Sequence, residues 1–302
     1  MSRRRSVVPR LSRTFLAAVA VLIGAAAATL LVASPAAADI TSRTSVYAST
    51  PTNLDDRKQI SVTCPTGTVA VGGDAIIVGG NGIPHLTYNA QLPVSHGWNA
   101  AAEEHPGYRD GVYTEATEWR LTVHAICVTG VTGRERALYA FLMPAYNNSL
   151  WVGVSCPAGK KVIGWGGGIS GGPDVRGQFI LTAADVSTDL TYVAMQITRA
   201  ISPGNEALSV GGELWAVCVD PVPGMQYVRA NSGSDSEDKA VYLRCPVGTR
   251  LYGVNGGSFN GARSVKLEMV IASTSSATVL AREMVYGTSA NWQAFATAVC
   301  AP

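Results

Sequence analysis

After a long apolar run near its start, the chain alternates hydrophobic and polar residues in short stretches punctuated by Gly, Pro, Asn and Ser. A period of two puts successive side chains on opposite faces of an extended backbone, so each stretch predicts a strand with one buried face. Three stretches are the strictest: Ile60, Val62 and Cys64; Val152, Val154 and Cys156; Val241, Leu243 and Cys245. Apolar residues at helical spacing are scarce beyond the first run, and the pattern predicts an all-β fold.

The three strict strands run into the same turn. Cys64-Pro65-Thr66-Gly67, Cys156-Pro157-Ala158-Gly159 and Cys245-Pro246-Val247-Gly248 open three copies of one unit. Eight residues after each Cys stands Gly72, Gly164 or Gly253, and two further on Asp74, Gly166 or Asn255. The last three tolerate a left-handed backbone, which predicts a recurring bulge or tight turn there. The copies close alike, at Ala125-Ile126-Cys127, Ala216-Val217-Cys218 and Ala298-Val299-Cys300, and each begins near a tyrosine, Tyr47, Tyr139 or Tyr227. The sequence therefore divides into a leader over residues 1–38 and β repeats over 39–128, 129–219 and 220–302. Short connectors predict three packed sheets in a pseudo-threefold, β-prism-like arrangement, with three tandem small β-sandwiches as the alternative.

The leader holds a disproportionate share of the basic residues. Arg3, Arg4, Arg5, Arg10 and Arg13 precede the apolar run from Phe15 to Val32, and Ala36-Ala37-Ala38 supplies small residues before Asp39, the plan of a secretory signal peptide. Ser6-Val7-Val8 departs from the twin-arginine pattern, so general secretion is the expectation. The whole chain has 23 basic and 21 acidic residues; losing the five leader arginines leaves 18 against 21, a net charge of −3. A mildly acidic exported chain without basic runs argues against a nucleic-acid partner, and against a membrane partner once the leader is gone. Export also makes disulfides the natural state of the six cysteines. The matched ends of the copies favour Cys64 with Cys127, Cys156 with Cys218 and Cys245 with Cys300, each closing a loop of about sixty residues and contributing roughly 4 kcal/mol.

Candidate chemistry is sparse. Gly168-Ile169-Ser170-Gly171-Gly172 has the form of a nucleophile turn and His124 could be pressed into partnership. However, only 46 positions separate His124 from Ser170 and no histidine follows the serine. His85, His96, His105 and His124 form no recognised metal spacing with Glu103, Glu104, Asp110, Glu115 or Glu118. No catalytic residue, metal or cofactor is predicted. The clearest feature present in one copy alone is the stretch containing His105, Tyr108, Arg109 and Asp110, where a ring, a cation and a carboxylate come together as a sugar face or a protein partner would require. Asp55 and Asp56, Asn147 and Asn148, and Glu237 and Asp238 precede the first Cys of each copy and are secondary binding candidates, with plain turn formation as the competing reading.

The run Cys-Pro-x-Gly, then Gly-x-Gly-Gly, then a closing Ala-x-Cys resembles repeats of uncharacterised secreted actinobacterial proteins. It is also similar in plan to the vitelline membrane outer layer protein family, whose β-prism the resemblance implies here. The combined expectation is a secreted, extracellular, non-catalytic protein that binds a glycan or a secreted or cell-surface protein. The alternative is a secreted hydrolase of cell-wall or extracellular polysaccharide, with Glu103 and Glu118 as its carboxylates. Amino-terminal sequencing of the exported chain should begin at Asp39; a chain that keeps the apolar run would show that run to be an anchor.

Overall fold

The computed structural model of the chain describes residues 40–80, 84–91, 96–104, 117–171, 178–200, 209–261, 264–284 and 288–302, and every regular element among them is a β-strand. The leader lies outside the described residues. The first copy supplies β1 (Ser42–Ser49), β2 (Arg57–Thr63), β3 (Val69–Gly79), β4 (Pro84–Gln91), β5 (Gly97–Glu104) and β6 (Trp119–Thr129). The second supplies β7 (Glu135–Met143), β8 (Ser149–Ser155), β9 (Lys161–Ser170), β10 (Phe179–Val186), β11 (Tyr192–Arg199) and β12 (Val210–Val219). The third supplies β13 (Gln226–Asn231), β14 (Lys239–Arg244), β15 (Arg250–Phe259), β16 (Val265–Ala272), β17 (Ser276–Glu283) and β18 (Gln293–Ala301).

All pairings are antiparallel, in the orders β1-β6-β3-β16-β17-β14, β2-β5-β4-β9-β12-β7 and β13-β18-β15-β10-β11-β8. Each copy thus divides its strands into two half-sheets, and each half-sheet joins one from a different copy. The joins are narrow seams: Met269 opposite Ile76, Ala183 opposite Gly257, and Tyr88 and Asn89 opposite Gly168 and Gly167. The result is a propeller-like plan of small antiparallel sheets about a common centre. It corrects the pseudo-threefold β-prism expectation and equally the three tandem sandwiches, because no copy keeps a sheet to itself. The likeness in plan to the vitelline membrane outer layer family falls with the prism.

Local sequence explains the strands. In β14 burial alternates residue by residue, with Lys239, Val241 and Leu243 inside. By contrast β9 is buried along almost its whole length, because both its faces are covered, and its sequence is glycine-rich where an alternating one would be expected. Gly67, Gly159 and Gly248 hold φ of 83°, 84° and 85°, while the next amide donates back to Pro65, Pro157 and Pro246 at 3.0, 3.1 and 3.0 Å. That left-handed third turn position requires glycine. Asp74, Gly166 and Asn255 are not left-handed, contrary to expectation. The bulges come three residues earlier, where the pairing register skips Val71, Ile163 and Tyr252.

Those bulges serve the centre. A Cβ on Gly72 would overlap the carbonyl oxygen of Tyr252; one on Gly253 would overlap that of Ile163, and one on Gly164 that of Val71. Each bulge residue therefore points its carbonyl at the glycine of another copy, and the three contacts close a ring. Around it, among the described residues, lie three large apolar cores and a small cluster of Ile180, Ala200 and Met284. One is formed within the first copy by Val62, Leu86, Trp98, Trp119 and their neighbours, and one chiefly within the second. The third extends from the third copy to the centre through Val71, Ile126, Ile163 and Val217.

The disulfides form as the matched ends imply: Cys64 with Cys127, Cys156 with Cys218 and Cys245 with Cys300, all at a Cα separation of 5.7 Å. The opening tyrosines are less alike than their sequence suggests. Tyr47 pairs with His124, whereas Leu138 and Arg229 hold the matching places opposite Trp215 and Thr297.

Gly164→Ala should cost about 3 kcal/mol or more, since the added methyl meets backbone that cannot yield without opening the ring. Gly159→Ala, whose Cβ meets nothing within 4 Å, should cost only the strain of its positive φ, about 1–2 kcal/mol. Urea unfolding of the two variants measures the difference, and equal losses would mean that the ring is not tightly packed.

Candidate functional site

The most exposed tryptophan lies beside a seam. The alternation of Val152, Val154 and Cys156 turns the even positions of β8 toward the core, with Val152 buried and Leu150, Val154 and Cys156 partly so, and Trp151 falls on the open face, where it is 50 % exposed. Directly across the ladder is Gln196 of β11. Its amide nitrogen donates to Ser149 Oγ at 2.9 Å and its carbonyl oxygen accepts from Thr182 Oγ1 at 3.1 Å, which fixes the side chain. Over the seam, the end of β15 brings Ser258, Phe259 and Asn260, and the five residues line an open groove of about 250 Å³.

The far wall of this groove is rigid. Phe259 stacks on buried Phe295 at 4.7 Å between ring centres, and the Arg229 guanidinium lies over both rings at 5.3 and 4.4 Å. Arg229 in turn donates to Asp185 Oδ2 at 2.8 Å. Burial pushes the Asp185 carboxyl up from its ordinary range, and the arginine opposes that shift. Such a surface offers a flat ring face with fixed amide and hydroxyl groups beside it, the combination that holds a small polar ligand.

A second constellation is buried. His124 Nδ1 and Asp74 Oδ2 share a 2.8 Å hydrogen bond, both residues are 1 % exposed, and the Tyr47 ring stacks on the imidazole at 4.3 Å. Among the described residues, Asp74 Oδ1 and His124 Nε2 have no hydrogen-bond partner. Burial raises the Asp74 carboxyl, against the lowering effects of His124 and Arg43. The pair belongs to the first copy alone, because the matching positions hold Gly166 with Trp215 and Asn255 with Thr297. Ser170 ends β9 at the edge opposite Gly211, and the structure does not join it to His124.

His105, Tyr108, Arg109 and Asp110 lie outside the described residues. The acidic and amide pairs ahead of each Cys lie in turns. Asp55 accepts from the Asn53 amide at 2.8 Å, the Asn147 amide nitrogen donates to the Pro144 carbonyl at 3.0 Å, and the Asn148 carbonyl accepts from the Arg199 amide at 2.9 Å. The Asp56 carbonyl accepts from the Glu104 amide at 2.9 Å, the Glu237 amide donates to Asp235 at 2.9 Å, and Asp238 accepts from the Glu283 amide at 3.0 Å.

The neighbouring turn residues Asn53 and Asp235 bond Lys58 and Lys239, two buried lysines laid over Trp119 and Trp292 at 4.7 and 4.4 Å. A desolvated cation over an indole face is held by the ring quadrupole. The second copy replaces the lysine and the tryptophan with Leu150 and Val210. Among the described residues no group of three His, Cys, Asp or Glu side chains is placed to share a metal.

No protein-family model and no curated protein matches the chain, so the resemblance to secreted actinobacterial repeat proteins is not carried further.

A carboxyl whose pKa is raised by folding binds more protons native than unfolded, so its contribution to stability falls as pH rises through that range. Between about pH 4 and pH 7 the parent protein should lose stability relative to Asp74→Asn. Denaturant midpoints across that range test it, and a parent that gains on the variant would show the carboxylate to be favoured in the fold.

Proposed function

We propose that the protein is a secreted, non-catalytic binding protein that holds a neutral saccharide in the seam groove around Trp151. The observation that carries this reading is the half-exposed indole of Trp151 set beside the immobilised amide of Gln196 and facing Phe259 and Asn260. Sugar rings present apolar C–H faces and polar edges; an aromatic plane takes the face, and amides and hydroxyls take the edge. Because Gln196, Phe259 and Arg229 are already fixed by their neighbours, little side-chain freedom is lost on binding. Phe259 is 39 % exposed, so both aromatic walls of the groove keep accessible surface.

A neutral-oligosaccharide array probed with the exported chain should return binding without turnover. Trp151→Ala should weaken it by at least about tenfold, or 1.4 kcal/mol, with the thermal midpoint nearly unchanged. Undiminished binding by the variant, capture of a protein partner through this face instead of a saccharide, or hydrolysis of the bound oligosaccharide would each overturn the reading.

A further inference from the structure

The residues that build the Trp151 groove have counterparts at all three seams, and their side chains differ. Trp151 stands five residues before Cys156; Gln59 and Ala240 stand five before Cys64 and Cys245. Their direct ladder partners are Gln196, Ala101 and Leu280. Across the seam, Phe259, Ser170 and Val78 each stand six residues after the ring glycine of their copy. The next residue has a positive φ every time: 62° at Asn260, 136° at Gly171 and 89° at Gly79. The same backbone turn thus flanks all three seams.

We infer that the groove between β2 and β9 is a second saccharide site, so that one chain holds two saccharide segments; this rests on the function proposed above. The second groove, of about 330 Å³, is lined by Gln59, Tyr88, Asn99 and Ser170, with Arg57 at its rim. Tyr88 packs edge-on against Trp215 at 5.7 Å between ring centres, which orients its ring. Burial pushes its phenol well above the ordinary range, so the hydroxyl remains a donor in neutral solution. Asn99 is held by Ser61 Oγ at 3.1 Å, and Arg57 is neutralised by buried Glu103 at 3.4 Å. The walls offer an aromatic ring with amides and hydroxyls and no uncompensated charge, the chemistry of the Trp151 groove in a different arrangement. At the third seam the three matching positions hold the apolar residues Ala240, Leu280 and Val78, and the exposed ring of Tyr242, with Thr278 opposite it, lies two residues further along β14.

Titration calorimetry of the exported chain with cellohexaose, chitohexaose and maltohexaose should give two sites per chain for whichever of these binds. Trp151→Ala should leave one site, and the surface pair Gln59→Ala with Asn99→Ala should leave the other. The triple variant should leave none, with all three disulfides intact. A single site in the parent that Trp151→Ala removes, or three sites, would overturn the second-groove inference while leaving the proposed function standing. Two sites that persist in the triple variant would overturn both readings, as would absence of binding by all three probes.

Discussion

The contact on which the structure depends is the approach of three glycines to three carbonyl oxygens at its centre. Gly72, Gly164 and Gly253 each lie where any side chain would collide with backbone contributed by another copy. The bulges at Val71, Ile163 and Tyr252 turn those carbonyls inward, and so the bulge and the glycine are two parts of one requirement. With the centre packed backbone to backbone, the neighbouring strands come close enough for half-sheets of different copies to pair. The seams need only one or two residue pairs each, because the ring already holds their positions.

Scaffold and decoration separate cleanly on this frame. The Cys-Pro-x-Gly turn, the bulge and the ring glycine recur in every copy with the same backbone geometry. Side chains pointing away from the centre are free to differ, and they do. One row of matching positions holds the buried Asp74–His124 pair in the first copy, Gly166 with Trp215 in the second, and Asn255 with Thr297 in the third. The lysine laid over tryptophan in two copies gives way to Leu150 and Val210 in the other, where burial needs no buried charge to be satisfied.

Much of this could be read from the sequence. Alternation identified the strands ahead of each Cys, and the matched ends paired the cysteines; the left-handed backbone expected at Asp74, Gly166 and Asn255 lies instead at Gly67, Gly159 and Gly248. Sheet membership could not be read. Pairing such as Ile76 with Met269 joins residues far apart in the chain through a single bridge, and no local pattern encodes which edge meets which. That is why the prism and the tandem sandwiches both fail. Asp74, Gly166 and Asn255 misled for a related reason: they flank the bulge and were read as its conformational cause. The groove was missed because its walls come from different copies. Even so, Trp151 carried a signal, since a tryptophan on the open phase of a strictly alternating strand is a large apolar ring left in water.

The three disulfides have a further consequence once the exchange of half-sheets is taken into account. Cys64 follows β2 in one sheet and Cys127 lies on β6 in another; Cys156 and Cys218 join a different pair of sheets, and Cys245 and Cys300 the remaining pair. Every sheet is therefore tied covalently to both of the others. A protease that cuts the backbone once between Cys64 and Cys127, between Cys156 and Cys218, or between Cys245 and Cys300 releases nothing, because the fragments remain one molecule through the bridge that spans the cut. Between the first and last cysteine only the connectors from one bridge to the next, 128–155 and 219–244, lack that protection; ahead of Cys64 the segment carrying β1 and β2 lacks it too.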